Sequence, residues 1–259
     1  MLSRIAVFTY GTAAYAVFLA TFLYALGFVG NFAVPKTIDS PASTPFAQAL
    51  LIDAALLAAF ALQHSVMARR PFKQMLTRYI PEPAERATYV LASSLALIVM
   101  FAYWQPLGGV VWSTTNPILV TLLYAGFAAG WLIVLLSTFL INHFDLFGLR
   151  QVWLYLMGKP YTHLPFKTPF FYRYVRHPLY FGWLLAFWMT PVMTAAHLFF
   201  AIMTTSYILI AIQLEERDLV FHHGDTYRNY RGRVPMIIPI RAPAPHPTPS
   251  GRFEPLREA

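Results

Sequence analysis

Residues 117–141 read PILVTLLYAGFAAGWLIVLLSTFLI, an apolar run of 25 residues without one charged side chain. An α-helix needs about 20 such residues to cross the hydrocarbon core of a bilayer. The run therefore predicts a membrane-spanning helix. The composition agrees, because 58% of the 259 residues are hydrophobic and only 12% are charged, about half the charged share of a soluble domain.

Further apolar runs lie on both sides of this segment. Three of them predict single spans, at residues 5–29, 46–67 and 88–104. A fourth stretch is broken at Thr190-Pro191 and predicts two closely linked helices, 180–193 and 197–214. The first arm is short, so this hairpin either crosses the membrane or re-enters. We expect an all-α integral membrane protein, a bundle of about five to six transmembrane helices with a C-terminal helical hairpin.

The basic residues predict how the bundle is oriented. Apart from Arg4 and Lys36, every Lys and Arg falls in the segments 68–87, 142–177 or 215–259, whereas residues 105–116 carry no charge. The positive-inside rule then places both termini and the two basic loops in the cytoplasm. A net charge of +8 would suggest nucleic-acid binding in a soluble protein, but with the charges flanking spans we expect a lipid bilayer and no nucleic acid.

Polar groups at the ends of membrane spans are candidates for function because they are costly there. Each has a structural alternative, such as a helix cap, an interfacial side chain or a solvated helix end. Three histidines at one membrane depth could also converge on haem or a pair of metal ions. Four clusters qualify: Gln63-His64-Ser65, Asn142-His143-Phe144-Asp145, residues 174–182, and Glu215-Glu216-Arg217-Asp218 with the Gly224, Tyr227, Tyr230 and Arg231 that follow.

Several familiar site classes are excluded by what the sequence lacks. There is no cysteine, so disulfides and thiolate metal sites are ruled out. The chain also has no GxGxxG, no Walker A sequence and no HExxH, so the Rossmann, P-loop and zinc-protease signatures are missing.

The third and fourth clusters together carry a recognisable pattern. RHPLYFG at 176–182, an apolar hairpin, Glu215-Glu216, Gly224 and Tyr227-x-x-Tyr230 resemble the C-terminal half of the isoprenylcysteine carboxyl methyltransferase and phospholipid methyltransferase superfamily. The resemblance covers residues 174–235, about a quarter of the chain. It implies S-adenosylmethionine bound at the cytoplasmic face. The expected cofactor-binding residues are Arg176, His177, Pro178, Tyr180, Gly182, Glu215, Glu216, Tyr227, Tyr230 and Arg231.

Three other segments narrow the resemblance. QHSVMAR at 63–69, ERATYVLASS at 85–94 and LINHFDLFGLR at 140–150 look like the bacterial methanethiol S-methyltransferases, which are similar to a broader NnrU-like group. The resemblance implies one membrane methyltransferase domain over residues 1–240 in the bacterial inner membrane, acting on methanethiol. Residues 241–259 begin with a Pro-rich stretch, which predicts a flexible cytoplasmic tail.

Methylation of a thiol needs a proton acceptor, because a free thiol titrates at about pH 8.5 or above and is mostly protonated at neutral pH. His143 oriented by Asp145 is the first candidate for this base, and His64 is the second. A small substrate needs a small closed pocket, whose expected walls are Met67, Tyr89, Phe144 and Phe147. No metal ion is expected.

Two other functions stay open from the sequence. A member of the same superfamily could methylate a lipid or prenylcysteine acceptor, which would need a lateral opening between spans. A non-enzymatic, haem- or metal-associated protein of the NnrU-like kind would bind no S-adenosylmethionine.

Overall fold

The computed structural model describes residues 1–162, 164 and 168–240. The predicted tail, 241–259, lies outside the described residues. Within the described part, five helices are long and apolar enough to cross a membrane. They are α1 (Leu2–Gly30), α2 (Phe46–Met67), α4 (Glu85–Tyr103), α5 (Pro117–Ile141) and α9 (Ala195–Arg233). The predicted all-α membrane bundle is confirmed.

The remaining elements are short and connect these spans. Two short helices, α6 (His143–Leu146) and α7 (Leu149–Leu156), follow α5. The strands β1 (Val110–Ser113) and β2 (Val192–Thr194) pair to form a two-stranded antiparallel sheet. Short 3₁₀ turns at Glu82–Ala84 and Phe170–Arg173 precede α4 and α8. The other two short helices are α3 (Arg70–Leu76) and α8 (Pro178–Trp188).

The hairpin α8–α9 reaches both ends of the bundle. α8 has only 11 residues and is about 16 Å long, roughly half the thickness of a bilayer core. Beyond it the chain becomes extended, and β2 pairs with β1, which lies between α4 and α5. The end of α8 therefore lies on the same side as the uncharged loop 105–116, so the hairpin runs the full depth of the bundle.

α9 is longer than predicted. The sequence predicts its end at residue 214, where the apolar run stops, but the helix continues to Gly224, and a second helical segment follows to Arg233. Helical hydrogen bonding does not require apolar side chains, and the chain offers no helix breaker before Gly224. At Gly224 the backbone turns sharply, with φ 53° and ψ −129°. The helix therefore carries Glu215 and Glu216 within it, where the sequence placed them at its end.

We call the two ends of the bundle the basic face and the opposite face. The basic face contains the end of α2, the start of α4, the end of α5 and the start of α8. Across it, Lys73 pairs with Glu85 at 3.7 Å and Arg69 with Asp218 at 3.4 Å. The opposite face contains the end of α1, the start of α2, the end of α4 and the sheet.

Close packing of α5 against α8 fixes the depth of the hairpin. A Cβ placed on Gly182 would lie 2.7 Å from the carbonyl oxygen of Gly130 and 2.9 Å from the amide of Val134. Positions 130 and 182 both need glycine because the backbones of α5 and α8 almost touch there. Around this contact lies a buried aromatic core of Phe28, Phe101, Trp104, Phe127, Trp131, Phe187 and Phe200.

Candidate active site

The hairpin brings Arg176 and His177 next to Glu215 and Glu216. Arg176 Nε donates to Glu216 Oε1 at 2.7 Å, and His177 Nε2 lies 3.0 Å from the same oxygen. These partners are 40 and 39 residues apart in the chain. Arg176 and His177 lie at the start of α8, and Glu215 and Glu216 lie on α9. The antiparallel hairpin therefore brings the two pairs together at the basic face.

Glu216 is buried and fully engaged by cationic partners. Its side chain is only 3% exposed, and its second oxygen lies 3.2 Å from Arg231 Nε. A buried carboxylate is tolerated only with such partners, because its loss of hydration is costly. Both oxygens are thus occupied by residues of the chain. Glu216 therefore holds Arg176 and His177 in place, and its contact with a cofactor stays a prediction.

Glu215 is the more accessible of the two acids. Its side chain is 46% exposed, and it accepts a hydrogen bond from the hydroxyl of Tyr180 at 3.1 Å. The ring of His177 is also near, with Nδ1 at 3.9 Å from Oε2. Glu215 and Tyr180 therefore form an open edge of the cluster.

The segment after Gly224 folds back over the cluster, and we call residues 225–236 the C-terminal arm. Arg176 donates through Nη1 to the carbonyl oxygens of Arg231 and Val234, both at 2.8 Å. Its backbone amide donates to Pro235 at 2.9 Å, and that of His177 donates to Met236 at 3.0 Å. The arm therefore lies directly against the start of α8.

The aromatic residues predicted for the cofactor lie in or beside this arm. Tyr227 is buried, and Tyr230 donates to the carbonyl oxygen of Tyr172 at 2.6 Å. Pro178 is buried at the first position of α8, where its missing amide costs no helical hydrogen bond.

Gly182 has a packing role in the structure. The sequence places it among the expected cofactor-binding residues, and in the structure the space that a side chain would fill is taken by Gly130 and Val134 of α5. Gly182 therefore serves the contact between two helices, and its contact with a cofactor stays a prediction.

A second polar cluster surrounds His64 on α2. The hydroxyl of Tyr89 lies 2.8 Å from Nε2 and 3.0 Å from Nδ1, and Ser93 Oγ lies 3.1 Å from Nδ1. Gln63 donates to Ser93 at 3.3 Å and contacts the sulfur of Met67 at 3.1 Å. We call His64, Tyr89, Ser93 and Gln63 the His64 cluster.

Tyr207 of α9 connects the His64 cluster to the acidic cluster. Its hydroxyl lies 3.0 Å from Ser65 Oγ, next to His64 in the chain. Tyr180, which contacts Glu215, lies within electrostatic range of both Tyr207 and Tyr89. Tyr89 of α4, Tyr180 of α8 and Tyr207 of α9 therefore lie near one another, beside Ser65 of α2.

His143 sits in a different, tightly packed environment. Its Nε2 lies 2.7 Å from the hydroxyl of Tyr15, and its Nδ1 lies 2.8 Å from Thr138 Oγ1. Phe139 stacks on the ring at a centroid distance of 4.2 Å, and Phe147 approaches to 4.8 Å. Burial lowers the pKa of His143 below its usual value, so the imidazole is neutral at pH 7.

The predicted pairing of His143 with Asp145 is wrong. Asp145 binds Arg150 at 2.9 Å and accepts from the hydroxyl of Tyr161 at 3.3 Å. Both nitrogens of His143 already face Tyr15 and Thr138, so no ring nitrogen is left for the carboxylate. The four residues between positions 142 and 147 form a short helix, which directs neighbouring side chains to different sides.

The predicted pocket walls divide between the two histidines. Met67 and Tyr89 belong to the His64 cluster. Phe147 stacks on Phe18 at 3.9 Å beside His143, and Phe144 is exposed. The four residues therefore do not enclose one chamber.

Sequence reasoning missed several polar contacts. Ser93 and Tyr207 each lie within an apolar helix, and the short hydroxyl-bearing runs Ser93-Ser94 and Thr204-Thr205-Ser206-Tyr207 are the signal that could have found them. Around His143, Tyr15 and Thr138 are likewise hydroxyl-bearing residues within apolar helices. The convergence of His64, His143 and His177 on a metal is not found: across residues 1–162, 164 and 168–240, no group of three or more metal-ligating side chains is suitably placed.

The chain is similar to several curated bacterial proteins over most of its length. A protein of Crocosphaera subtropica named methanethiol S-methyltransferase is 60% identical over 239 residues, which cover 92% of this chain and 94% of that protein. One of Bradyrhizobium diazoefficiens, methanethiol S-methyltransferase 1, is 53% identical and covers 90% and 82%. A methanethiol S-methyltransferase of Mycobacterium tuberculosis is 51% identical and covers 89% and 94%.

Comparison with protein-family models gives no match. Comparison with solved structures gives none either.

Proposed function

The chain belongs to the methanethiol S-methyltransferase family, and on this premise we propose that it transfers a methyl group from S-adenosylmethionine to methanethiol and releases dimethyl sulfide. The observation that carries the proposal is the convergence of Arg176 and His177 with Glu215 and Glu216, next to Tyr180, which lies near Tyr89 of the His64 cluster. It supports one region that holds both a charged methyl donor and a thiol.

The residues of the acidic cluster fit the chemistry of such a donor. S-adenosylmethionine, when bound, supplies a methyl group on a positively charged sulfonium. Its amino-acid end has one carboxylate and one ammonium, so it needs a cation and an anion in the protein. Arg231, 50% exposed, and Glu215, 46% exposed, provide these two charges at the accessible edge.

Aromatic and positioning residues complete this assignment. Tyr180, whose hydroxyl is fixed on Glu215, is placed to stack on an adenine or to face a cation with its ring. Glu216 positions Arg176 and His177 through contacts at 2.7 Å and 3.0 Å. The C-terminal arm, with Tyr227 and Tyr230, closes the same region.

For the proton acceptor, the geometry favours His64 over His143. His64 lies with Tyr89 and Ser93 in the region that Tyr207 joins to Tyr180 and Glu215. His143 is enclosed by aromatic rings, and both its nitrogens are held by Tyr15 and Thr138. We therefore assign His64 as the acceptor of the thiol proton. His143 has a structural role, because it connects Tyr15 of α1 to Thr138 of α5.

The membrane environment assists this reaction in two ways. A site between apolar helices excludes water, which favours the reaction of a sulfonium with a thiolate because charge is neutralised as the bond forms. Holding the thiol sulfur against the methyl group supplies much of the remaining rate. A small neutral product can then leave through the lipid.

We further propose that residues 1–240 form one methyltransferase domain in the bacterial inner membrane, with the basic face in the cytoplasm. The support is that the basic loops 68–87 and 142–177 adjoin this face, as the positive-inside rule requires of cytoplasmic loops. S-adenosylmethionine is then supplied from the cytosol.

The test uses the full-length protein purified in detergent. Calorimetry with S-adenosylhomocysteine measures binding at the acidic cluster, and gas chromatography of the headspace measures dimethyl sulfide after methanethiol is added. We expect both binding and product. Parallel reactions with phosphatidylethanolamine and N-acetyl-farnesylcysteine test a lipid or prenylcysteine acceptor, and turnover of either one without dimethyl sulfide would contradict the proposal.

A further inference from the structure

We propose that Tyr89 receives the proton of the thiol while passing its own proton to His64, and that Ser93 and Gln63 fix the histidine tautomer that makes this transfer work. The inference rests on the proposed function and deepens it, because it names the group that meets the thiol. Tyr89 is then the catalytic residue, His64 the final proton acceptor, and Ser93 a positioning residue.

The distances within the His64 cluster support a relay. Tyr89 Oη lies 2.8 Å from His64 Nε2, within reach of a direct hydrogen bond. Ser93 Oγ lies 3.1 Å from Nδ1 and is also hydrogen-bonded to the hydroxyl of Tyr89, which itself lies 3.0 Å from Nδ1. Phe60 stacks on the imidazole at 5.2 Å with an interplanar angle of 23°. The ring is thus held on its face and at both of its nitrogens.

The distances fit either neutral tautomer of His64, and the proposed relay requires the one protonated at Nδ1. A neutral imidazole has one donor and one acceptor nitrogen. If Nδ1–H donates to Ser93, the lone pair of Nε2 accepts from the hydroxyl of Tyr89. Gln63, whose amide nitrogen lies 3.3 Å from Ser93 Oγ, adds a second donor to that oxygen. The lone pairs of Tyr89 then remain for a thiol S–H.

The cluster lies where such a thiol would have to be. Tyr89 is near Tyr180, whose hydroxyl contacts the accessible Glu215. Tyr207, bound to Ser65 at 3.0 Å, lies within electrostatic range of both Tyr89 and Tyr180. The sulfur of Met67, beside Gln63, gives this corner a soft, apolar surface that suits a small thiol.

The transfer balances in atoms and charge. The S–H bond of the thiol breaks, its sulfur forms a bond to the methyl carbon, and the bond from that carbon to the sulfonium breaks. Tyr89 gains the thiol proton and gives its own to Nε2 of His64. The products are dimethyl sulfide, neutral S-adenosylhomocysteine and an imidazolium, which later releases its proton to water.

The test compares two small thiols of different acidity in Tyr89→Phe and His64→Gln. Methanethiol is weakly acidic and needs the relay, whereas 2,2,2-trifluoroethanethiol is more acidic and forms its thiolate without help. General base catalysis is worth about 100-fold or more, so both variants should lose at least about 100-fold with methanethiol and less than about tenfold with the acidic thiol. An equal loss with both thiols, or no loss, would overturn the relay.

Two further measurements separate this inference from the proposed function. S-adenosylhomocysteine affinity should be unchanged in both variants, and Tyr10→Phe is the matched control because Tyr10 bonds the neighbouring Thr88 on α4 at 2.9 Å. If the wild type binds S-adenosylhomocysteine but methylates neither thiol, the proposed function itself fails.

The tautomer gives a readout that does not depend on activity. Nitrogen-15 spectra of histidine-labelled protein, with His64 assigned by its absence in His64→Gln, should show Nδ1 protonated in the wild type. Ser93→Ala should lose that preference, and it should lower turnover of methanethiol more than that of the acidic thiol. Protonation at Nε2 in the wild type would overturn the assigned direction of transfer.

Discussion

Arg176 and Glu216 form a 2.7 Å ion pair across the mouth of the hairpin formed by α8 and α9, although 40 residues separate them in the chain. Glu216 also contacts His177 and Arg231, so one buried carboxylate ties the start of α8 to the C-terminal arm. Its neighbour Glu215 faces outward toward Tyr180. Glu216 therefore stabilises the cluster, whereas Glu215 is accessible to a ligand. Substituting Glu216 should affect stability and binding, and substituting Glu215 should affect binding alone.

Glu215→Gln should weaken ligand binding and leave the fold intact. A hydrogen bond to a charged group is worth about 1.5–3 kcal/mol, so the affinity for S-adenosylhomocysteine should fall by about 10- to 150-fold. Because Glu215 is half-exposed, the melting temperature should hardly change. Calorimetry and a thermal melt on the same sample measure both effects, and an unchanged affinity would remove Glu215 from the site.

Glu216→Gln should damage stability as well as binding. The substitution leaves Arg176, Arg231 and His177 around a neutral amide, and breaking a buried ion pair typically costs about 3–5 kcal/mol. The melting temperature should fall, and ligand affinity should fall with it. A variant that lost affinity at unchanged stability would show that Glu216 contacts the ligand directly.

The kink at Gly224 gives a test of the C-terminal arm. Its φ of 53° lies in a region that side chains rarely adopt, and a Cβ would meet nothing within 4 Å. Gly224→Ala is therefore strained by the backbone alone, at about 1–3 kcal/mol. We expect lower thermal stability and weaker S-adenosylhomocysteine binding, because the arm carries Arg231 to Glu216.

Gly232→Ala is the matched control for the arm. It lies in the helical segment that follows Gly224, has no positive φ, and has nothing within 4 Å of the added methyl group. Replacing glycine by alanine within a helix is stabilising by about 0.5–1 kcal/mol. Equal losses in the two variants would show that the kink at Gly224 is not what matters.

The contact between α5 and α8 should tolerate no added side chain. In Gly130→Ala the new methyl group would lie 2.6 Å from the amide of Ala186 and 2.7 Å from the carbonyl of Gly182. Both are backbone atoms, so the helices must separate, at about 1–3 kcal/mol or more. Thermal stability in detergent should fall clearly, and ligand affinity should fall as α8 shifts Arg176.

Gly126→Ala serves as the control one turn away. Its added methyl group would meet the flexible side chain of Met189 at 3.0 Å, which can move aside. We expect a change in melting temperature well below that of Gly130→Ala, and similar losses in both variants would contradict the packing argument.

His143 should make the fold sensitive to acid. Burial lowers its pKa below the usual 6.5, so the unfolded chain takes up a proton more readily than the folded one. The neutral ring's contribution to the free energy of unfolding is complete above about pH 6.5, and it is lost as the pH falls through the pKa of the folded state. Melting temperatures at about pH 7.5 and about pH 5.5 should therefore differ more in the wild type than in His143→Gln. An equal fall in melting temperature in the wild type and in His143→Gln would show that a group other than His143 causes the acid sensitivity.

Most of the fold follows from local sequence, because a membrane span depends on the length of an apolar run. α2 and α5 begin and end where residues 46–67 and 117–141 predict. The end of α9 does not follow in this way, since helical hydrogen bonds continue through Glu215 and Glu216 until Gly224 bends the chain. Hydropathy marks the edge of the apolar layer and does not mark the end of a helix.

The candidate site could be predicted only in part. The motifs identify Arg176 and Glu216 as important, but which acid is buried depends on the rotation of α9 about its axis. The pairing of Asp145 with Arg150, and of His143 with Tyr15, depends on contacts 128 residues apart in one case. The contact of His143 with Tyr15 is set by helix packing, and the local pairing of Asp145 with Arg150 depends on how the short helix α6 directs each side chain; a single sequence shows neither.

The most direct test of the account gives the purified protein S-adenosylmethionine with a trideuteromethyl group and unlabelled methanethiol, then analyses the headspace by mass spectrometry. We predict dimethyl sulfide heavier by the three deuterium atoms, formed by the wild type and much more slowly by Glu215→Gln at limiting donor. Unlabelled dimethyl sulfide, or equal rates in the two proteins, would contradict the assignment of the methyl donor to the acidic cluster at the basic face.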